Sequence, residues 1–222
     1  MKTLTSNQQP KTRTANGHLN AAFCSFGGLG AEVLVLMAET AVYGQPSGSW
    51  PVAYQLIHWT ITCMIWGLTG LLLLRQLPAC LKGALDKNPD KKQLLLAAAI
   101  FAVSVVYTTW AWNGWKPAIE LSALGAVKFL FQYVYYAFES LLVTLIIAHG
   151  QLAFESRFAG CARIPSGGML LAATWGLVHI ATQGAATGIF TVVQSLLFGS
   201  VYLVFRKNFQ ISYLVIMLMF ML

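Results

Sequence analysis

The chain has 222 residues, 57% of them hydrophobic and 9% charged, with a formal net charge of +7. Soluble domains carry about 25% charged residues, so this composition excludes a disordered chain and an ordinary water-soluble globule. It predicts an all-α, polytopic transmembrane helix bundle, with room for about six to seven spans of about 20 apolar residues each.

Residues 1–20 are polar, with Lys2, Lys11 and Arg13 and no acid, and lack the apolar stretch of a signal peptide. They read as a flexible cytoplasmic tail ahead of one transmembrane helical domain, 21–222. The first span is predicted at 20–43, followed by the turn Gln45-Pro46-Ser47-Gly48. The second span is 51–74. A polar loop, 75–92, leads to the third span, 93–112, and residues 113–117 turn again. The fourth apolar run, 118–151, is longer than a ~30 Å hydrocarbon core requires, so it must tilt or project into water. Pro165 and its neighbours break the chain over 157–168. The fifth span is 169–182 and the sixth 187–205. The last run, 209–222, is short for a full crossing.

The basic residues sort by side. The tail holds Lys2, Lys11 and Arg13. The second loop holds Arg75, Lys82, Lys87, Lys91 and Lys92. Arg157 and Arg163 follow span four, and Arg206 and Lys207 follow span six. Twelve of the 14 basic residues therefore fall on one side of the bilayer. The opposite loops hold only Lys116, and Lys128 lies inside the fourth run. This positive-inside pattern puts the N-terminus in the cytoplasm. Once the charge is spent on topology, no basic patch with interleaved aromatics remains for nucleic acid. Trp50, Trp112 and Trp115 sit near the predicted outer ends, as interfacial rings do. No internal repeat of a transporter is visible.

Cys24, Cys63, Cys80 and Cys161 are scattered and form no CxxC, so neither a disulfide framework nor a zinc ribbon is indicated. No cofactor and no metal is expected. Charges at membrane depth are costly and mark function. They are Glu32, Glu39, Lys128 and Glu139, with His58, His149 and His179 beside them. Glu39 and His149 are expected near an interface, and His58 is expected as a satisfied core histidine. Glu32 and Lys128 could pair. Glu139 and His179 lie well inside consecutive apolar segments. A buried carboxylate beside an imidazole can deprotonate a water. The same two groups can instead hydrogen-bond and lock two helices together. Taken naively, Glu139 sits toward the cytoplasmic side and His179 toward the outer side.

The stretch Phe138-Glu139-Ser140-Leu141-Leu142-Val143-Thr144 resembles an EExxxR motif, and Trp175-Gly176-Leu177-Val178-His179 resembles FxxxH with Trp for Phe. Residues 195–203 and the basic turn from Arg206 resemble the helix that follows. These motifs belong to the CPBP group of CAAX proteases and bacteriocin-processing proteins, also called Abi. The resemblance runs over about 129–222, within a CPBP-like part of 118–222. It implies an intramembrane glutamate protease in which Glu139 is the base and His179 its partner on water. A third family motif, HxxxN, would hold the oxyanion.

The departures are specific. Ser140 stands in place of the second Glu, and Thr144 in place of Arg. The HxxxN positions fall at about Met217 and Met221, whose thioethers donate no hydrogen bond. Losing one oxyanion donor costs about 10²- to 10³-fold in rate. The chain is therefore read as a degenerate, non-proteolytic member, a pseudoenzyme. Its expected setting is the bacterial inner membrane, and its expected partners are the lipid bilayer and another membrane protein or complex. The alternative is an active intramembrane endopeptidase using Glu139 and His179.

Overall fold

A computed structural model describes residues 14–82 and 89–222. Lys2, Lys11, Arg13 and Lys87 of the charge pattern lie outside the described residues, as does most of the predicted tail. Within the described residues all regular structure is helical. Five helices are long and apolar enough to cross a membrane: α1 (Ala15–Tyr43), α2 (Val52–Leu74), α4 (Lys91–Ala111), α5 (Lys116–Arg157) and α8 (Ala185–Val204). A four-residue α3 (Ala79–Lys82) lies between α2 and α4. Leu34, Met64, Leu95, Val106 and Trp110 point outward. Lipid solvates such a surface and water does not, so the chain is an integral membrane protein.

Local chemistry sets the helix ends. Thr14 caps α1 by accepting the Gly17 N–H, and Gly44 closes it in the left-handed conformation. α1 thus starts earlier than expected, and residues 15–20 are helical rather than part of a tail. The reason is burial. His18, Ala21 and Ala22 pack inside the bundle, and His18 Nδ1 meets His149 Nδ1 at 3.0 Å. Asp90 and Gln93 form a reciprocal capping box at the start of α4.

The long apolar run of α5 does not form one straight rod. Gly125 (φ 72°, ψ 163°) breaks it, in a region of backbone space that only glycine occupies readily. The limb 116–124 doubles back on the limb 126–157. Glu120 accepts hydrogen bonds from Gln132 at 3.0 Å and from Tyr136 at 2.6 Å. Residues 120 and 136 of a straight helix would stand about 24 Å apart. The middle of the long limb is the centre of the bundle, where Leu142, Val143, Leu145, Ile146 and Ile147 are fully buried. It packs on α1, α2, α6 (Ser166–Leu171) and α9 (Phe209–Met221).

The predicted fifth span is a composite. α6 runs through one turn of π-helix, Ala172–Gly176, into α7 (Leu177–Gln183). α6 and α8 approach at glycines. A Cβ on Gly199 would lie 2.6 Å from the Gly168 Cα, which is the small-residue contact that lets membrane helices close. Polar locks add to it. Ser104 donates to the Gln194 carbonyl at 2.8 Å, and the Gln194 amide donates to Thr108 at 3.0 Å, joining α4 to α8. Gln151, on α5, donates to the carbonyls of Cys161 and Ile164 and accepts the Gly167 N–H, which fixes the turn before α6.

Basic residues gather at one end of the bundle. Arg157 contacts the Asn16 carbonyl, Arg206 pairs with Asp90 at 3.2 Å, and Lys207 pairs with Glu155 at 2.6 Å.

Candidate functional site in the bundle

A cavity of about 1350 Å³ opens between α1, α5, α7, α8 and α9, with Glu32, Lys116, Glu139 and His179 in its wall. Tyr135 and Glu139 stand one helical turn apart on α5, and Trp175 and His179 one turn apart along the α6–α7 composite, so each pair shares a face. Trp175 joins the two. Its indole Nε1–H donates to Glu139 Oε1 at 3.2 Å. Its backbone carbonyl accepts from His179 Nδ1 at 2.7 Å, and the His179 ring meets the indole edge-on at 4.6 Å. A carbonyl only accepts, so the proton is on Nδ1. In the neutral imidazole Nε2 is then the acceptor.

Glu139 and His179, on consecutive segments, are therefore joined through one tryptophan. Among the described residues no hydrogen bond links the carboxylate directly to the imidazole.

The other motif positions are turned away. Ser140 and Thr144 are completely buried, and their hydroxyls bond within α5, to the carbonyls of Ala137 and Ser140. On α9 the cavity-lining side chains are Met219 and Phe220, rather than Met217 and Met221.

Lys116 occupies that wall. Its Nζ donates to the Phe220 carbonyl at 2.7 Å and lies 4.3 Å from the Tyr136 ring centroid. Trp112 and Phe220 complete an aromatic surround at 5.5 and 5.4 Å, a cation–π setting. Sequence reasoning read Lys116 as an outer-loop residue. The signal was Pro117, since proline in the first turn marks a helix start that includes its neighbour. Glu120 was also missed, although it lies within the predicted fourth run.

The remaining polar residues form a second group. Glu39 is buried, and its Oε2 lies 2.6 Å from His58 Nδ1. His58 Nε2 faces Glu32 Oε1 at 3.6 Å. Glu32 also accepts from the Tyr135 hydroxyl at 2.7 Å, so its ionisable partner is His58 and not Lys128. His149 is likewise buried, held by His18 and, at 3.3 Å, by the Leu73 carbonyl. Among the described residues no group of three His, Cys, Asp or Glu side chains is arranged to hold a metal ion.

No protein-family model, no curated protein and no solved structure gives a significant match to this chain. Fold and cavity define an all-α integral membrane protein with an ionisable, aromatic-lined interior.

Proposed function

We propose that the chain is a CPBP/Abi-like protein of the bacterial inner membrane, with six to seven spans and a cytoplasmic N-terminus. In this reading it is a non-catalytic accessory subunit whose cavity receives part of another membrane protein. One observation carries the reading. Glu139 and His179 share a large intramembrane cavity, but the side chains at the other motif positions, Ser140, Thr144, Met217 and Met221, lie outside its lining. A pocket with a carboxylate, an imidazole and many aromatic faces can bind. Without oxyanion donors at the motif positions, peptide hydrolysis is slowed by about 10²- to 10³-fold for each donor lost.

The test uses the full chain, in native membranes for crosslinking and in proteoliposomes for cleavage. A photocrosslinking phenylalanine analogue at Val178, on the cavity wall, is expected to capture a membrane protein from the native membrane. No cleavage of prenylated or hydrophobic peptides is expected. Wild-type cleavage that disappears in Glu139→Gln would overturn the reading. So would a monomer that captures nothing.

Lys116 favours a second reading, an active intramembrane endopeptidase. Its ammonium group is in the cavity wall beside α9, where it could stabilise an oxyanion in place of the missing donors. In that case Lys116→Met lowers turnover by about 10²- to 10³-fold, and Glu139→Gln abolishes it.

A further inference from the structure

Glu39, His58 and Glu32 form a connected ionisable set that neither reading uses. Both nitrogens of His58 face a carboxylate: Nδ1 lies 2.6 Å from Glu39 and Nε2 lies 3.6 Å from Glu32. Imidazole is the side chain that can accept a proton at one nitrogen and release another from the second. The two ends of the set differ. Glu39 stands one turn before the end of α1, by the aromatic cluster of Tyr43, Trp50 and Tyr54 around the α1–α2 turn. Its Oε1 is buried and accepts no hydrogen bond among the described residues. Glu32 stands two turns further in and lines the cavity.

We propose that Glu39, His58 and Glu32 form a proton relay between the α1–α2 end of the bundle and the cavity. The relay does not depend on whether the cavity binds or cuts. In the first step the O–H bond of a protonated Glu39 breaks and an N–H bond forms at His58 Nδ1, leaving a Glu39 carboxylate and an imidazolium. In the second step the Nε2–H bond breaks and an O–H bond forms on Glu32. The imidazole is then neutral with its proton on Nδ1, and a half-turn of the ring points that N–H at Glu32 and the free nitrogen at Glu39, ready for the next proton. Water at the helix end reprotonates Glu39, and Glu32 passes its proton to water in the cavity.

The second gap, at 3.6 Å, is an ion-pair contact, and a closure of about half an ångström makes it a hydrogen bond. The Tyr135 hydroxyl, already on Glu32 Oε1, holds the receiving carboxylate in place. The titratable groups around the set are Tyr43 on α1, Tyr54 and Cys63 on α2, Tyr135 and Glu139 on α5, and His179 on α7. Among the described residues no lysine or arginine forms an ion pair with it. Intramembrane Glu–His chains of this kind carry protons in pumps and transporters.

The experiment follows the carboxylic-acid carbonyl stretch by time-resolved infrared spectroscopy after a pH jump, with the full chain in lipid nanodiscs. The Glu32 band is assigned by its loss in Glu32→Gln. His58→Gln keeps a hydrogen bond to Glu39 but cannot carry a proton. It is expected to slow Glu32 protonation by roughly 10²-fold with little change in unfolding temperature. Glu39→Gln, nearly isosteric, is expected to slow it equally, and it carries the test if the His58 variant does not assemble. Glu32 protonation at the wild-type rate in either folded variant overturns the relay. The set would then be only a lock between α1 and α2.

Discussion

Trp175 donates its indole N–H to Glu139 across 3.2 Å while its own carbonyl takes the N–H of His179. One residue thus orients both halves of the candidate pair, one through its side chain and one through its backbone. Trp175→Phe separates these roles. Phenylalanine, the residue the family resemblance has there, keeps the backbone bond to His179 and removes the donor to Glu139. A buried acceptor that loses its donor costs about 1–3 kcal/mol. Unfolding in mild detergent should show that loss, and crosslinking from Val178 should weaken with it.

Gly125→Val tests the doubling-back of α5. A β-branched side chain cannot hold the glycine-only conformation found there (φ 72°). The expected cost is about 1–3 kcal/mol, read as a lower unfolding midpoint. The limb carrying Lys116 and Glu120 should lose its place against Tyr136. Faster hydrogen exchange confined to 116–124 would report this directly.

Gln194→Leu tests the polar lock between α4 and α8. Hydrogen bonds between membrane helices contribute about 0.6 kcal/mol on average and about 1.7 kcal/mol at most. A double-mutant cycle with Ser104→Ala isolates the Ser104–Gln194 term and should fall in that range.

Gly199→Val tests the close glycine contact between α6 and α8. Its Cβ would lie 2.6 Å from the Gly168 Cα, and neither backbone can yield as a flexible side chain would. α6 and α8 must separate, at a cost of at least about 1–3 kcal/mol. Because α6 leads into the π turn and Trp175, the variant should also disturb the cavity. A red shift in tryptophan emission would detect that change.

Much of the fold was legible in the apolar runs. The second span, expected at 51–74, is α2 (Val52–Leu74). The third and sixth match α4 and α8 to within two residues at each end. Uninterrupted apolarity marks these helices regardless of what they pack against. The doubling-back was not legible, because Gly125 sits inside a run that is apolar enough to read as one helix, and glycine is common in membrane helices. His18 and His149 stand 131 positions apart, and no periodicity within one helix reports such a contact. Of the candidate site, Glu139 and His179 were visible as isolated polar groups. Trp175 was visible only as a motif position, since the bond that makes it the bridge joins two helices.

The bond from Lys116 to the Phe220 carbonyl has a consequence in time. Its two ends stand 104 positions apart. At 5–20 residues per second they leave the ribosome roughly 5–20 s apart. The cavity wall that Lys116 forms is thus begun with α5 and closed only when α9 is made. Until α9 arrives, the Lys116 amine has no Phe220 carbonyl to donate to, so this polar contact of the interior forms only when α9 docks.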